Sequence, residues 1–119
     1  MSIIGIVTDF GTQDYYAPTM KGAILSINPE ANIVDITHQI PKHDIKKAAF
    51  VLAKAAETFP RETTFVAVID PDVGTQRSCI FLRTENGLNF VGPDNGVFTL
   101  AADIFGIEEI RKVENKELM

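Results

Sequence analysis

Three short apolar runs, each closing on polar residues and separated by amphipathic stretches, constrain this chain more than any other feature. The first is Ile3-Ile4-Gly5-Ile6-Val7-Thr8, the second Asn32-Ile33-Val34-Asp35-Ile36-Thr37, and the third Thr64-Phe65-Val66-Ala67-Val68-Ile69. Short runs of nearly continuous apolar character suit strands buried on both faces of a parallel sheet. Between the first two, Met20, Ala23, Ile24 and Ile27 recur at i, i+3, i+4 and i+7, the period of a helix. Pro18 fits if that helix begins around residues 14–17, because first-turn amides have no intrahelical partner. Asn28-Pro29 then ends it. A second amphipathic helix carries Ile45, Ala48, Ala49, Leu52, Ala56 and Phe59 on one stripe, leaves Lys46, Lys47, Lys54 and Glu57 off it, and stops at Pro60.

The C-terminal third reads differently. Two strands meeting around Glu85-Asn86-Gly87 predict a hairpin, since Asn-Gly suits a tight turn. A short helix over residues 96–105 and a last strand over 109–113 follow. Strand, helix, strand, helix, strand is the order that builds an α/β fold. It predicts a three-layer, mostly parallel sheet with helices on both faces and right-handed crossovers. The 119 residues carry no internal repeat, linker or low-complexity stretch, which bounds them to one domain or part of one.

Charge and cysteine content narrow the functional classes. The net charge of −5 and the scatter of the 11 Lys and Arg residues argue against a nucleic-acid partner, which calls for a basic face. No apolar stretch approaches the ~18–20 residues that span a bilayer. The N-terminus has no basic region or cleavage site, so the expectation is a soluble, cytoplasmic protein with no membrane partner. Cys79 is the only cysteine, which excludes an internal disulfide. Its place in Cys79-Ile80-Phe81-Leu82 predicts a buried, inert thiol.

The polar residues fall where chemistry is expected. In an open α/β sheet, ligands bind beyond the carboxyl ends of the strands. Here the three strands end at Thr8-Asp9, at Thr37-His38 and at Asp70, and Gly92-Pro93-Asp94-Asn95-Gly96 adds a loop that can reach the same rim. Each feature also has a plain structural reading. Asp9 can be a turn residue, Asp14 a helix N-cap, Asp94-Asn95-Gly96 a turn, and Tyr15 and Tyr16 packing residues; for His38 the structural reading is preferred. Asp70-Pro71-Asp72-Val73-Gly74-Thr75-Gln76-Arg77 is harder to dismiss, with two acids, a Pro, a Gly and an Arg directly after an apolar strand. Asp70 and Arg77 can fold back into a charge-assisted pair, which either orients an acid for water activation or clamps a loop.

Taken in order, these motifs resemble those of the S-adenosyl-L-methionine hydrolases, the adenosine-forming hydroxide adenosyltransferases related to fluorinases and chlorinases. The matching elements are Thr8-Asp9-Phe10-Gly11-Thr12, Asp14-Tyr15-Tyr16, Met20-Lys21-Gly22 and Asp35-Ile36-Thr37-His38 with Ile40-Pro41 and His43-Asp44. Asp70-Pro71 with Val73-Gly74-Thr75 and Arg77, and Gly92-Pro93-Asp94-Asn95-Gly96, complete the set. The resemblance implies that Asp9 accepts hydrogen bonds from the ribose hydroxyls, that Asp14 and Tyr16 face the methionine end, and that Asn95 belongs to the substrate-binding loop. Asp70 and Arg77 are implied to be two members of an Asp–Arg–His set that activates water for attack at the ribose C5′, with S-adenosyl-L-methionine as partner and adenosine as product. No metal or organic cofactor is called for.

Fluorinase-like sequences have Tyr where this chain has Asp70, and a longer insertion after it, so water is the expected nucleophile. The family's usual residue at Asp72 is Gly. Its catalytic His lies beyond the Asp94-Asn95-Gly96 segment and matches neither His38 nor His43. Relatives also carry a C-terminal β-rich domain and assemble as trimers with sites between subunits. Residues 1–119 are therefore expected to form an N-terminal α/β substrate-binding domain, incomplete at its C-terminal end, of a homotrimeric hydrolase. Two other readings stand beside this one. One is a non-catalytic nucleoside-binding domain. The other is a metal-assisted hydrolase using Asp9, Asp14, Asp70, Asp72 and Asp94, although no spacing among these five forms a recognised ligand motif.

Overall fold

The first apolar run becomes β1 (Ile3–Thr8), which lies between β2 (Asn32–Thr37) and β3 (Thr64–Val68) and runs parallel to both. The computed structural model describes residues 2–11, 15–69 and 79–113. Three helices, α1 (Tyr16–Ile27), α2 (Ile45–Ala56) and α3 (Thr99–Phe105), and three further strands, β4 (Cys79–Thr84), β5 (Asn89–Pro93) and β6 (Ile107–Lys112), complete the described elements. All six strands form one sheet in the order β2-β1-β3-β5-β4-β6. β5 joins β3 in parallel, while β4 runs antiparallel to both β5 and β6. The expected α/β class, the predominance of parallel pairing on the N-terminal side and the 84–89 hairpin are all realised.

The order β2-β1-β3 places successive right-handed crossovers on opposite faces of the sheet. Side-chain contacts agree. Ile6 pairs with Asp35, and Asp35 is reached by Lys21 of α1, so α1 covers that face. The opposite face carries the main core, in which Val7, Phe65, Ala67, Leu82 and Phe90 pack under Leu52 and Ala53 of α2 and Ala101 of α3. Phe65 stacks on Phe90 with ring centroids 5.2 Å apart, and Phe59 meets Phe65 edge-on. Gly5 is required here, because a Cβ would lie 2.9 Å from both Ile36 Cδ1 and Phe65 Cδ1. α2 starts at Asp44, whose carboxylate accepts from the Lys47 amide and so satisfies one of the first-turn donors.

Three expectations need correction. The Met20–Ala23–Ile24–Ile27 stripe is not a buried face: only Ala17 of α1 is buried, and Ile27 is 87% exposed. β2 is not enclosed either, since among the described residues it is the edge strand, paired only with β1, and Val34 and Asp35 are exposed. Cys79 is exposed rather than buried. It opens β4, where Ile80, Leu82 and Thr84 point into the core and the alternate residues do not. A continuous apolar run thus conceals an ordinary strand alternation. Partial burial of the sulfur nonetheless pushes the thiol's pKa up.

Candidate functional site

The carboxyl ends of β1 and β2 bring together two loops that the sequence separates by about thirty residues, residues 9–11 and residues 38–43. Thr8, the last residue of β1, is fully buried, and its hydroxyl lies 2.7 Å from His38 Nδ1. His38, 7% exposed, meets Asp35 Oδ1 through Nε2 at 2.7 Å, and Lys21 Nζ donates to Asp35 Oδ2 at 2.5 Å. The Lys21 hydrogen bond, with a smaller contribution from His38, holds the Asp35 carboxyl below its ordinary pKa against the opposing effect of desolvation. His38 thus has both ring nitrogens partnered within the fold.

Asp9 sits one residue beyond Thr8. Its Oδ2 accepts from the His43 amide at 3.0 Å, so the carboxylate bridges the two loops. His43 adopts the left-handed region (φ 64°), unusual for a residue with a side chain. Gly11 lies in the same region (φ 77°) and donates its N–H to the His38 carbonyl at 2.7 Å. Only a residue without a Cβ adopts that backbone freely. Phe10 donates its amide to Thr8 Oγ1 at 3.2 Å and packs its ring 5.7 Å from that of Tyr16. Tyr16 opens α1, is 49% exposed and also meets the ring of Tyr15 at 4.8 Å. The two tyrosines are therefore surface aromatics grouped with Phe10, not core packing residues.

Asn95 lies across the rim. Its amide nitrogen donates to the Ile69 carbonyl at 2.6 Å, and its amide oxygen accepts from the Val97 N–H at 3.1 Å. Asn95 thus fastens the loop after β5 to the last described residue of the β3 segment. The remaining predicted residues, Asp14, Asp70 and Arg77, lie outside the described residues, as does Asp72. Of the five carboxylates of the metal-assisted reading, only Asp9 and Asp94 are described. Sequence reasoning assigned no role to Thr8, Lys21 or Asp35, although each belonged to a quoted motif. The usable signal was the single acid inside the otherwise apolar β2 pattern.

The sheet, with helices on both faces and an acid and polar loops at its carboxyl rim, places the chain among the open α/β proteins, a class whose ligands bind beyond the carboxyl ends of the strands. The chain belongs to a particular family of that class: residues 4–119 match the SAM hydroxide adenosyltransferase N-terminal domain. It is 44% identical over 120 residues to the (R)-S-adenosyl-L-methionine hydrolase of Methanocaldococcus jannaschii, an alignment covering 98% of this chain and 45% of that protein. It is 26% identical to a fluorinase of an Actinoplanes species over 139 residues, covering 98% of this chain and 47% of the fluorinase. That alignment is longer than the 119-residue chain, so the fluorinase carries residues without a counterpart here. A crystal structure of an uncharacterized conserved protein from Thermotoga maritima superposes with a TM-score of 0.93 at 45% identity, over 97% of this chain and 44% of that one. The chain spans about half the length of the curated relatives it matches. Among the described residues, no helix is long and apolar enough to cross a membrane.

Proposed function

We propose that this chain supplies the substrate-binding half of an enzyme that hydrolyses S-adenosyl-L-methionine to adenosine and L-methionine. The observation that carries the reading is its 44% identity, across nearly its whole length, to an (R)-S-adenosyl-L-methionine hydrolase, together with the Asp9 carboxylate held at the strand-end rim. In this reading Asp9 accepts from the ribose hydroxyls, Asp14 and Tyr16 line the methionine end, and Asn95 braces the adjoining loop. Asp70 and Arg77, with a His from the part of the relatives' length that this chain does not span, hold and orient the attacking water. The water oxygen forms a bond to C5′ as the C5′–S bond breaks. The bonding pair moves to sulfur, cancelling the sulfonium charge, and the proton passes to a base or to solvent. Most of the acceleration then comes from positioning and water control. The higher identity to the hydrolase (44%) than to the fluorinase (26%) favours water over halide as nucleophile. The complete protein works as a homotrimer in the cytoplasm.

The test is chromatographic. The full protein, incubated with each sulfonium epimer of S-adenosyl-L-methionine, is expected to release adenosine and methionine in equal amounts, and Asp70→Asn or Arg77→Ala to abolish release with an unchanged circular-dichroism spectrum. Retained turnover in both variants overturns the assigned mechanism. Binding of adenosine without turnover by the full protein leaves a nucleoside-binding domain.

A further inference from the structure

Four residues that carry the family resemblance without acquiring a role from it converge on one network. Thr8, Lys21, Asp35 and His38 come from three separate motifs and four places in the chain. In the fold they form a continuous line from α1 through β2 to the end of β1. For a neutral His38 ring the donors follow from its partners. Asp35, held ionised beside Lys21, only accepts, so His38 Nε2 donates to it. In the neutral imidazole Nδ1 is then an acceptor, and the Thr8 hydroxyl donates to it while accepting from the Phe10 amide. The line therefore ends on the peptide that directly follows Asp9.

His38 acts twice on the same loop, since its own carbonyl accepts from Gly11. With the His43 amide on the Asp9 carboxylate, the segment 8–11 is fixed on both sides of Asp9. An isolated buried His needs partners only to satisfy its nitrogens. This one is oriented by a carboxylate that is itself oriented by a lysine, in the arrangement that fixes tautomer and ring angle for a functional group.

We propose that Thr8, His38, Asp35 and Lys21 form a positioning relay for Asp9, which sets the carboxylate at the angle needed to receive two ribose hydroxyls. The proposal rests on the reading of Asp9 as the ribose-binding group. It makes Thr8 and His38 positioning residues that do not touch substrate. Their loss weakens nucleoside binding and leaves the chemical step largely intact.

The experiment compares wild type, Thr8→Val and Thr8→Ser in the full protein. It reads KM and kcat for S-adenosyl-L-methionine, Kd for adenosine, and hydrogen exchange at the Gly11 and His43 amides. Thr8→Val keeps the volume and removes the hydroxyl. It is expected to raise KM and Kd by about tenfold with kcat within about threefold, and to speed exchange at both amides. Thr8→Ser is expected to restore both readings. If Thr8→Val does not fold, His38→Asn and His38→Gln carry the same split. The Asn amide oxygen stands where Nδ1 stands and keeps an acceptor for Thr8, whereas Gln reaches only toward Asp35, so Asn is expected to bind nucleoside better. Nitrogen-15 spectra are expected to give the Nε2–H tautomer of His38. Wild-type binding matched by Thr8→Val, or a Thr8→Ser as impaired as Thr8→Val, overturns the relay alone. A wild type that neither binds adenosine nor turns over S-adenosyl-L-methionine overturns the reading of Asp9 instead.

Discussion

The two faces of the sheet at β1 are held by different physics. Under α2 and α3, Val7 joins Phe65, Phe90, Leu52 and Ala53 in a continuous apolar core with stacked rings. Under α1, beside the buried Ile6 and Ala17, the fully buried Thr8 contacts His38 through a hydrogen bond and the chain of partners ends on a surface lysine. Apolar burial is non-directional and scales with area, so the first face can set stability without fixing any side chain's angle. Hydrogen bonds are directional and individually worth little net free energy. The second face therefore contributes less to stability and more to orientation, which suits the side that carries Asp9.

This contrast can be broken most sharply by Phe65→Ala. The ring is fully buried against Phe59 and Phe90, so its loss is expected to cost about 3–5 kcal/mol in denaturant unfolding. Any adenosine affinity is expected to persist wherever the variant remains folded. Asn95→Ala is the intermediate case. It removes a donor to the Ile69 carbonyl and an acceptor for the Val97 amide, with an expected loss of about 1–2 kcal/mol and faster exchange at Val97. A silent Asn95→Ala would mean that the two rims are not fastened in this way.

The smallest effect is expected from acid. Asp35 has its folded pKa depressed by Lys21 and His38, so its contribution is present above the ordinary carboxylate range and lost as pH falls through the folded value. Wild type is expected to lose slightly more stability than Asp35→Asn from about pH 4 downward, measured by thermal melts across pH. The pair is solvent-screened, so the difference is small. Equal acid sensitivity would remove Asp35 as the anchor of the α1 face.

Much of this was legible from local pattern. The strands β1 to β3 and the hairpin at Asn86-Gly87 follow from periodicity and turn chemistry that neighbouring residues supply, whereas α2 ends at Ala56, before Phe59 and Pro60. Burial was read less well at α1, β2 and Cys79. An apolar residue says it can be covered, not that an element lies above it. Asp9 was legible as a candidate because it directly follows the end of a strand. Its partner was not, because His43 contributes a backbone N–H, and backbone groups leave no mark in the residue type.

The sequence by itself determined the element order, the α/β class and, through its ordered motifs, the family. These follow from short-range spacing, which survives without coordinates. The tertiary structure decided which strand became an edge, which face of α1 stayed open, and that Thr8, Lys21, Asp35 and His38 share one hydrogen-bonded line. The physical reason is range: hydrogen bonds across 14 and 30 residues exist only after the crossovers have brought α1 over β2 and the ends of β1 and β2 side by side.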